Sequence, residues 1–436
     1  LSFISGGLRD PDISLHALGH AAPDDTGSLR ALAGPLLGRP EPGDGAVLTE
    51  ALKSTDSELR GDVLSAMTRL APDTAGNAFR DAYARYQELR HDIVEASVRA
   101  GAGKYVLPLA LSDGDADTRL LAAGSLKGEP RGSADGLVMS ALEDDNPGVR
   151  LLAAEAAAAG GYVDALVAAS DDGSPEVRMA AARGLGGYGG DRACDALAAL
   201  ALDPDEGVSG AALGALEGLG GAACGRVWLR LGSPASRKPV RLAALKTLAG
   251  MDAGEVFADA LSDRDGEVAD AAAAGLAVMG DKALPYLHGM LKGSGARARA
   301  LGVIADIGSP ESEGPVVAAL DGLEGGDLEA AIKALGKVGG EASLGPLRGI
   351  YTKGGAEMKA AALKAVSGMR LSGAGDGVTG MVADGLSSTD DSVRFYAARA
   401  AGELGVPGVR ALIREKMDVE RSPLVKGEML RTLGRN

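Results

Sequence analysis

An apolar residue followed by a basic one recurs about every 30 residues along most of the 436-residue chain, often before an Ala-Ala-x-x-Leu-Gly stretch. The clearest copy begins at Val177-Arg178. A fixed period of this length is typical of a solenoid, because one repeat cannot bury its apolar face alone and must stack on its neighbours. With degenerate copies included, about 14 units align, and they start at or near Leu29, Leu59, Leu89, Thr118, Val149, Val177, Val208, Val240, Val268, Ala296, Asp327, Met358, Val393 and Val425.

Each unit reads as a pair of short antiparallel helices, as residues 163–190 illustrate. A short apolar segment is followed by a loop rich in Ser, Asp, Gly and Pro, which marks a turn. Ser174 and Pro175 suit the cap and first turn of a second helix. That helix carries apolar residues at i, i+4 and i+8, which is one face of an α-helix: Val177, Ala181 and Leu185.

The acidic loop before the apolar–basic pair makes these units resemble HEAT repeats, in particular the short HEAT-like type of phycobilin lyases and many bacterial proteins. The acids that carry the likeness are Asp144-Asp145, Asp171-Asp172 and Asp390-Asp391. The resemblance covers about residues 25–436. It implies an all-α fold, a right-handed α-solenoid of about 14 stacked helix pairs, with residues 1–24 as an N-terminal cap or partial repeat.

The resemblance implies a non-enzymatic scaffold or adaptor that binds proteins along the concave face lined by the second helices. A structural subunit of a larger cell-envelope or filamentous assembly is an alternative. A bilin lyase or lyase-associated factor is another, although only 3% of the residues are aromatic and a tetrapyrrole pocket favours aromatic side chains. These alternatives differ in partner, and the repeat itself does not choose among them.

Charge and hydropathy argue against nucleic-acid binding and against a membrane-spanning segment. The net charge of -15 and the isoelectric point near 4.9 argue against nucleic acid, since phosphate contacts need a basic surface. No 18-residue stretch is apolar and uncharged, so no membrane span is expected. Abundant Ala, Gly, Asp and Arg with a single Gln is typical of a bacterial protein. The first residue is Leu rather than Met, which leaves cytoplasmic and exported locations both open.

Candidate metal and cofactor motifs all have simpler structural interpretations. His16 and His20 are spaced i, i+4, as metal ligands on a helix are, but a solvated pair is the expectation. Asp113 starts a run of acids like that of a calcium loop, yet Thr118 and Gly124 occupy the positions that need Gly and Glu. A Gly-x-Gly-x-x-Gly string from Gly184 follows a helix instead of a strand, so it reads as a helix end. No metal, cofactor or catalytic residue is predicted.

The two cysteines, Cys194 and Cys224, lie 30 residues apart at matching places in neighbouring units. Stacked helices lie roughly 8–10 Å apart, which exceeds the usual Cα separation in a disulfide. Both cysteines are therefore expected to be small buried side chains without a bond between them.

The basic residue of each unit is expected to pair with loop acids of its own or the next unit, giving a row of exposed ion pairs worth roughly 0–1 kcal/mol each. The residues that stand six positions after the apolar start of each unit form a second set of equivalent positions, which we call a column. On the second helix this position points away from the hydrophobic core. The members of the column from the third unit on are Glu95, Gly124, Glu155, Arg183, Gly214, Lys246, Ala274, Gly302, Lys333, Lys364, Arg399 and Arg431.

The last four members of this column are all cations: Lys333, Lys364, Arg399 and Arg431. Stacking of the helices would set them in a row, about 10 Å apart. Solvation of the surface explains four such cations without any ligand. The functional interpretation is a partner-binding stripe for an acidic peptide or helix, since complementary charge steers and orients a partner.

Overall fold

A computed structural model describes residues 11–129, 132, 134–293, 295–371, 375–406 and 408–434, and these residues form helices and no strands. They divide into two compact units, residues 1–224 and 225–436. The first unit contains α1 (Pro11–His20), α2 (Thr26–Gly38), α3 (Gly45–Ala51), α4 (Ser57–Met67), α5 (Pro72–Arg85), α6 (Arg90–Arg99), α7 (Gly103–Ala110), α8 (Ala116–Ser125), α9 (Asp135–Ala141), α10 (Pro147–Gly160), α11 (Val163–Ala169), α12 (Pro175–Leu185), α13 (Asp191–Ala201) and α14 (Glu206–Leu219).

Helix α15 (Gly221–Leu231) begins at the end of the first unit. The second unit continues with α16 (Lys238–Leu248), α17 (Gly254–Leu261), α18 (Gly266–Met279), α19 (Leu284–Met290), α20 (Arg297–Ile307), α21 (Glu313–Ala319), α22 (Gly325–Val338), α23 (Leu344–Lys353), α24 (Ala356–Gly368), α25 (Asp376–Gly385), α26 (Asp391–Glu403), α27 (Val409–Met417) and α28 (Pro423–Gly434).

These helices form 14 successive pairs in the described part of the chain, which confirms the all-α solenoid. Every unit start taken from the sequence lies on the second helix of a pair or directly before it. Within each compact unit, the second helix of one pair packs on the second helix of the next. Helix α1 occupies part of the proposed cap, residues 1–24, and residues 1–10 lie outside the described residues. A single continuous array over residues 25–436 stays a prediction.

Small side chains and glycines set the spacing of the pairs. The core around α12 is built from Ala154, Ala169, Val177 and Ala181, all buried. Glycines with positive φ recur at the connections between pairs, where a side chain would be strained. Eight of them lie 28 to 31 residues apart: Gly101, Gly132, Gly161, Gly190, Gly220, Gly250, Gly280 and Gly308.

An Asp–Arg ladder joins successive pairs in the first unit. The Nε of Arg150 donates to Oδ2 of Asp172 at 2.7 Å, and its Nη2 donates to Oδ1 at 3.0 Å. Oδ1 of Asp172 also accepts the N–H of Ser174 at 2.8 Å, so the same carboxylate holds its own turn. The same bidentate arrangement is repeated by Arg119 with Asp144 and by Arg178 with Asp203.

The prediction of exposed pairs was wrong for these three, whereas the acids that pair with Arg30 and Arg60, Glu58 and Glu88, are exposed. Only 9% of the Asp172 side chain and 18% of the Arg150 side chain are exposed. The loop of the following pair folds over the guanidinium, whose Nη1 also donates to the carbonyl oxygen of Asp144 at 2.9 Å. A pair buried in this way costs far more to break than an exposed one, because the remaining partner keeps an uncompensated charge.

Acid should remove part of this stabilisation. Burial raises the pKa of the Asp144 and Asp172 carboxyls, but hydrogen bonds from their arginines and from backbone N–H groups, with the arginine charges, hold each pKa below its ordinary value. The contribution is thus complete above about pH 4 and is lost as the pH falls through the lower folded-state pKa. We expect the Tm of an Asp144→Asn, Asp172→Asn variant to fall less between about pH 4 and pH 2 than that of the wild type. Parallel curves would contradict this.

Cys194 and Cys224 form a disulfide, with their Cα atoms 5.6 Å apart. The expectation of two separate cysteines was therefore wrong. It assumed two regular helices at the normal spacing, but Cys224 has non-helical backbone angles (φ -122°, ψ 30°) inside α15. The irregular first turn of α15 places Cys224 nearer to α13 than a continuous helix would.

Removing this disulfide should be costly. A link across about 30 residues stabilises by roughly 3–4 kcal/mol in the chain-entropy treatment. We expect Cys194→Ala, Cys224→Ala to lower the free energy of unfolding by about that amount in urea. Alkylation of the unfolded wild type should label neither cysteine until reductant is added. Two reactive thiols without reductant would contradict the assignment.

Candidate functional groove

Three successive second helices of the second unit, α22, α24 and α26, line a surface groove of about 840 Å³. We call it the second-helix groove. Its lining combines charged rims with a floor of small or apolar side chains: Glu329, Ile332, Lys333, Gly336, Lys337, Glu357, Met358, Ala361, Lys364, Ala365, Ser367, Gly368, Arg399 and Glu403.

The groove exists because small residues occupy the contact between α22 and α24. A methyl group added at Gly336 would lie 3.0 Å from the Cα of Ala365. One added at Gly368 would lie 2.6 Å from the carbonyl oxygen of Gly336. The two helices thus approach through nearly bare backbone, and Ala361 and Ala365 leave the space above the contact unfilled.

Adding a methyl group at this contact should destabilise the protein. Backbone atoms cannot move aside as a flexible side chain can, so Gly368→Ala is expected to cost about 1–3 kcal/mol of unfolding free energy. Gly427 in α28 has open space at its Cβ position, and Gly427→Ala should stabilise by about 0.5–1 kcal/mol through helix propensity. Urea denaturation of both variants tests this. Equal effects would show that the close contact is not present.

Three of the four predicted cations meet in the second-helix groove. Lys333 on α22, Lys364 on α24 and Arg399 on α26 all line it and are exposed. Lys333 and Arg399 make no ion pair with any residue in the described part of the chain. The Nζ of Lys364 lies 5.6 Å from the centre of the Tyr396 ring, a cation–π distance that leaves the ammonium charge unneutralised.

Arg431, the fourth predicted cation, is not brought into this groove. It lies on α28, where its Nη1 is 3.0 Å from Oε2 of Glu428, one turn earlier on the same helix. Glu428 is almost fully buried, so the pair compensates a carboxylate that would otherwise be costly. The i, i+3 spacing of Glu428 and Arg431 was readable in the sequence and predicts this contact.

The sequence analysis considered only the column that contains Lys333, Lys364 and Arg399, so it missed several other residues that line the groove. Glu329, Lys333 and Lys337 stand at i, i+4 and i+8 on α22, which places them on one face of that helix. Glu357 lies at the start of α24, and Glu403 lies at the end of α26. A search for charged residues at helical spacing on neighbouring second helices would have found Glu329 and Lys337.

The other candidate sites are occupied by structural contacts. The rings of His16 and His20 meet edge to face with centroids 4.8 Å apart. Among the described residues, no group of three or more His, Cys, Asp or Glu side chains could hold a metal ion. Asp113 accepts from Arg90 Nη1 at 2.9 Å, and Asp115 accepts the N–H of Thr118 at the start of α8. These acids stabilise turns and link repeats.

Two further sequence features have plain structural outcomes. Helix α12 ends at Leu185, inside the Gly-x-Gly-x-x-Gly string, so that string is a helix end as predicted. None of the described helices is both long enough and apolar enough to cross a bilayer.

Comparison with known proteins agrees with this architecture. The family profile for HEAT repeats matches residues 138–217. Comparison with curated proteins gives no match. Among solved structures, the E. coli protein YibA is 19% identical with a TM-score of 0.27, and the alignment covers 53% of this chain and 90% of YibA.

Karyopherin structures align over nearly the whole chain. Kap121p bound to Nup53p is 12% identical with a TM-score of 0.43, and the alignment covers 99% of this chain and 53% of Kap121p. Kap121p bound to the SUMO protease Ulp1p gives the same four values. The chain thus spans about half the length of these karyopherins. Residues 138–217 thus match HEAT repeats, and the described helices on both sides of this segment are arranged in pairs of the same kind.

Proposed function

We propose that this protein is a non-enzymatic scaffold that binds protein partners, and that the second-helix groove is its main contact. The observation that carries the proposal is the alignment of Lys333, Lys364 and Arg399 on three successive helices, with charges that no carboxylate in the described residues neutralises. Elsewhere the chain is acidic, and most of its buried or half-buried arginines pair with an acid of the next repeat.

The chemistry of the groove favours binding over catalysis. Its lining contains no His, Cys or Asp, and its single hydroxyl, that of Ser367, donates to the carbonyl oxygen of Lys364 at 2.8 Å. A hydroxyl that donates to a backbone carbonyl oxygen, and not to a basic side chain, is not activated as a nucleophile. The apolar floor and the cationic rim instead match a peptide that carries carboxylates along one side. The complementary charges would attract such a peptide and orient it.

Affinity capture from the native organism tests the proposal. The wild-type protein is immobilised beside a variant carrying Lys333→Glu, Lys364→Glu and Arg399→Glu, and mass spectrometry identifies what each retains. We expect a protein partner on the wild type that is missing from the variant. A partner that both proteins retain equally would place the contact outside the groove. If neither protein retains a protein partner, the scaffold proposal is contradicted and the bilin-lyase alternative is favoured.

A further inference from the structure

Charge is unevenly distributed along the second-helix groove. Helices α22 and α24 are second helices of consecutive pairs, so they run in the same direction. Glu329 and Glu357 lie toward their N-terminal ends, and Lys333, Lys337 and Lys364 follow toward the C-terminal ends. Lys337 follows Glu329 by eight positions, so the charge on this rim changes sign within about 12 Å along α22.

The charged groove residues that form no ion pair show the same arrangement, with acids toward the N-terminal ends of α22 and α24 and cations toward the C-terminal ends. Glu329, Glu357 and Lys337 form no ion pair with any described residue. Glu403, the one acid at the cationic end, already interacts with another group. The groove therefore offers free carboxylates at one end and free cations at the other, and an occupant must match both.

The floor has the shape of a helix contact. Ala361, Ala365 and Gly368 follow one another at i, i+4 and i+7 on the side of α24 that lines the groove, where Ala361 is half-buried, Ala365 is buried against α22 and Gly368 is exposed. This line of small residues runs parallel to the helix axis, with the half-buried Met358 as an apolar contact beside it and the buried Ile332 beneath. A helix is about 10–12 Å wide, so a groove of about 840 Å³ holds roughly two turns.

The geometry points to an amphipathic α-helix as the occupant, bound antiparallel to α22 and α24, with acidic residues in its first turns and basic residues in its last turns. This inference rests on the proposed function and specifies its partner. Antiparallel placement brings the acidic turns to Lys333, Lys337, Lys364 and Arg399, and brings the basic turns to Glu329 and Glu357. An acidic start and a basic end also suit the dipole of the bound helix itself.

Two peptides of identical composition provide the test. Each is about 14 residues long, carries one leucine–alanine face, is closed by a side-chain lactam to hold it helical, and bears fluorescein. The forward peptide has its Glu residues in the first half and its Lys residues in the second half, and the reverse peptide has the opposite order. Fluorescence anisotropy with the full chain gives both affinities.

We expect the forward peptide to bind at least about tenfold more tightly than the reverse peptide, which corresponds to 1.4 kcal/mol. A variant with Glu329→Lys, Glu357→Lys, Lys333→Glu and Lys364→Glu should invert the preference. Equal affinities that both disappear in this variant would overturn the orientation and leave the groove as a protein-binding site. No binding of either peptide would overturn the helical occupant, whereas the capture experiment decides the proposed function separately.

Discussion

Reversing the three groove cations, by Lys333→Glu, Lys364→Glu and Arg399→Glu, is expected to weaken binding of the captured partner about 100-fold. Each reversal replaces an attraction by a repulsion at the rim of the groove, and an effect of roughly 1 kcal/mol at each of three positions multiplies to that factor. Titration calorimetry with the purified partner measures it. The Tm should be unchanged within about 2 °C, because the three side chains are exposed and Lys333 and Arg399 pair with no described residue.

A matched variant separates the groove from net charge. Lys282→Glu, Lys353→Glu and Arg421→Glu change the charge of the chain by the same amount, and none of these exposed residues lines the groove. We expect this control to bind within about threefold of the wild type at physiological salt, since charges beyond a Debye length are screened. Arg431→Glu should likewise have little effect on binding. Equal losses in the groove and control variants would show a non-specific effect of net charge.

Breaking one rung of the Asp–Arg ladder should produce the largest loss of stability from a single substitution. Asp172→Ala removes the carboxylate that accepts two hydrogen bonds from Arg150 and one from the N–H of Ser174, and leaves the guanidinium mostly buried without its partner. We expect a decrease of about 3 kcal/mol in the free energy of unfolding. Urea denaturation followed by circular dichroism measures it.

The neighbouring residue is the control. Asp171 is exposed in the same loop, and Asp171→Ala should change the free energy of unfolding by less than about 0.5 kcal/mol. A double-mutant cycle with Arg150→Met isolates the pair, and we expect the double variant to be more stable than Asp172→Ala alone, because no buried charge is left unpaired. Similar losses at Asp171 and Asp172 would show that the carboxylate is not buried in the ladder.

Periodicity predicted the fold well because the start and the end of most repeats are both marked by a recognisable residue type in the sequence. In most units the residue that starts the unit, such as Val177, is apolar and buried on the second helix, and a positive-φ glycine such as Gly190 separates one pair from the next. Periodicity could not predict the disulfide, since the irregular backbone at Cys224 is a local departure from the repeat. It also missed the burial of the ladder, which depends on how the loop of the following repeat folds over Arg150.

The site was predicted in part for a similar reason. Lys333, Lys364 and Arg399 share one column, and stacking of α22, α24 and α26 places one column on one surface. The groove between them depends on Gly336 and Gly368, whose role appears only when two helices are placed against each other. Column analysis placed Arg431 with the other three, but its pairing with Glu428 is set within α28.

Site-specific photo-crosslinking tests the central claim, that the second-helix groove is where a protein partner binds. A benzophenone amino acid is placed at Ala361 on the groove floor. In a separate variant it is placed at Ala274, an exposed position on α18 that belongs to the same column as Lys333, Lys364 and Arg399. Both variants are illuminated in extract of the native organism. The account predicts a discrete protein adduct from position 361 that the Lys333→Glu, Lys364→Glu, Arg399→Glu background abolishes, and none from position 274. An adduct from position 274 alone, or one from position 361 that persists in that background, would contradict it.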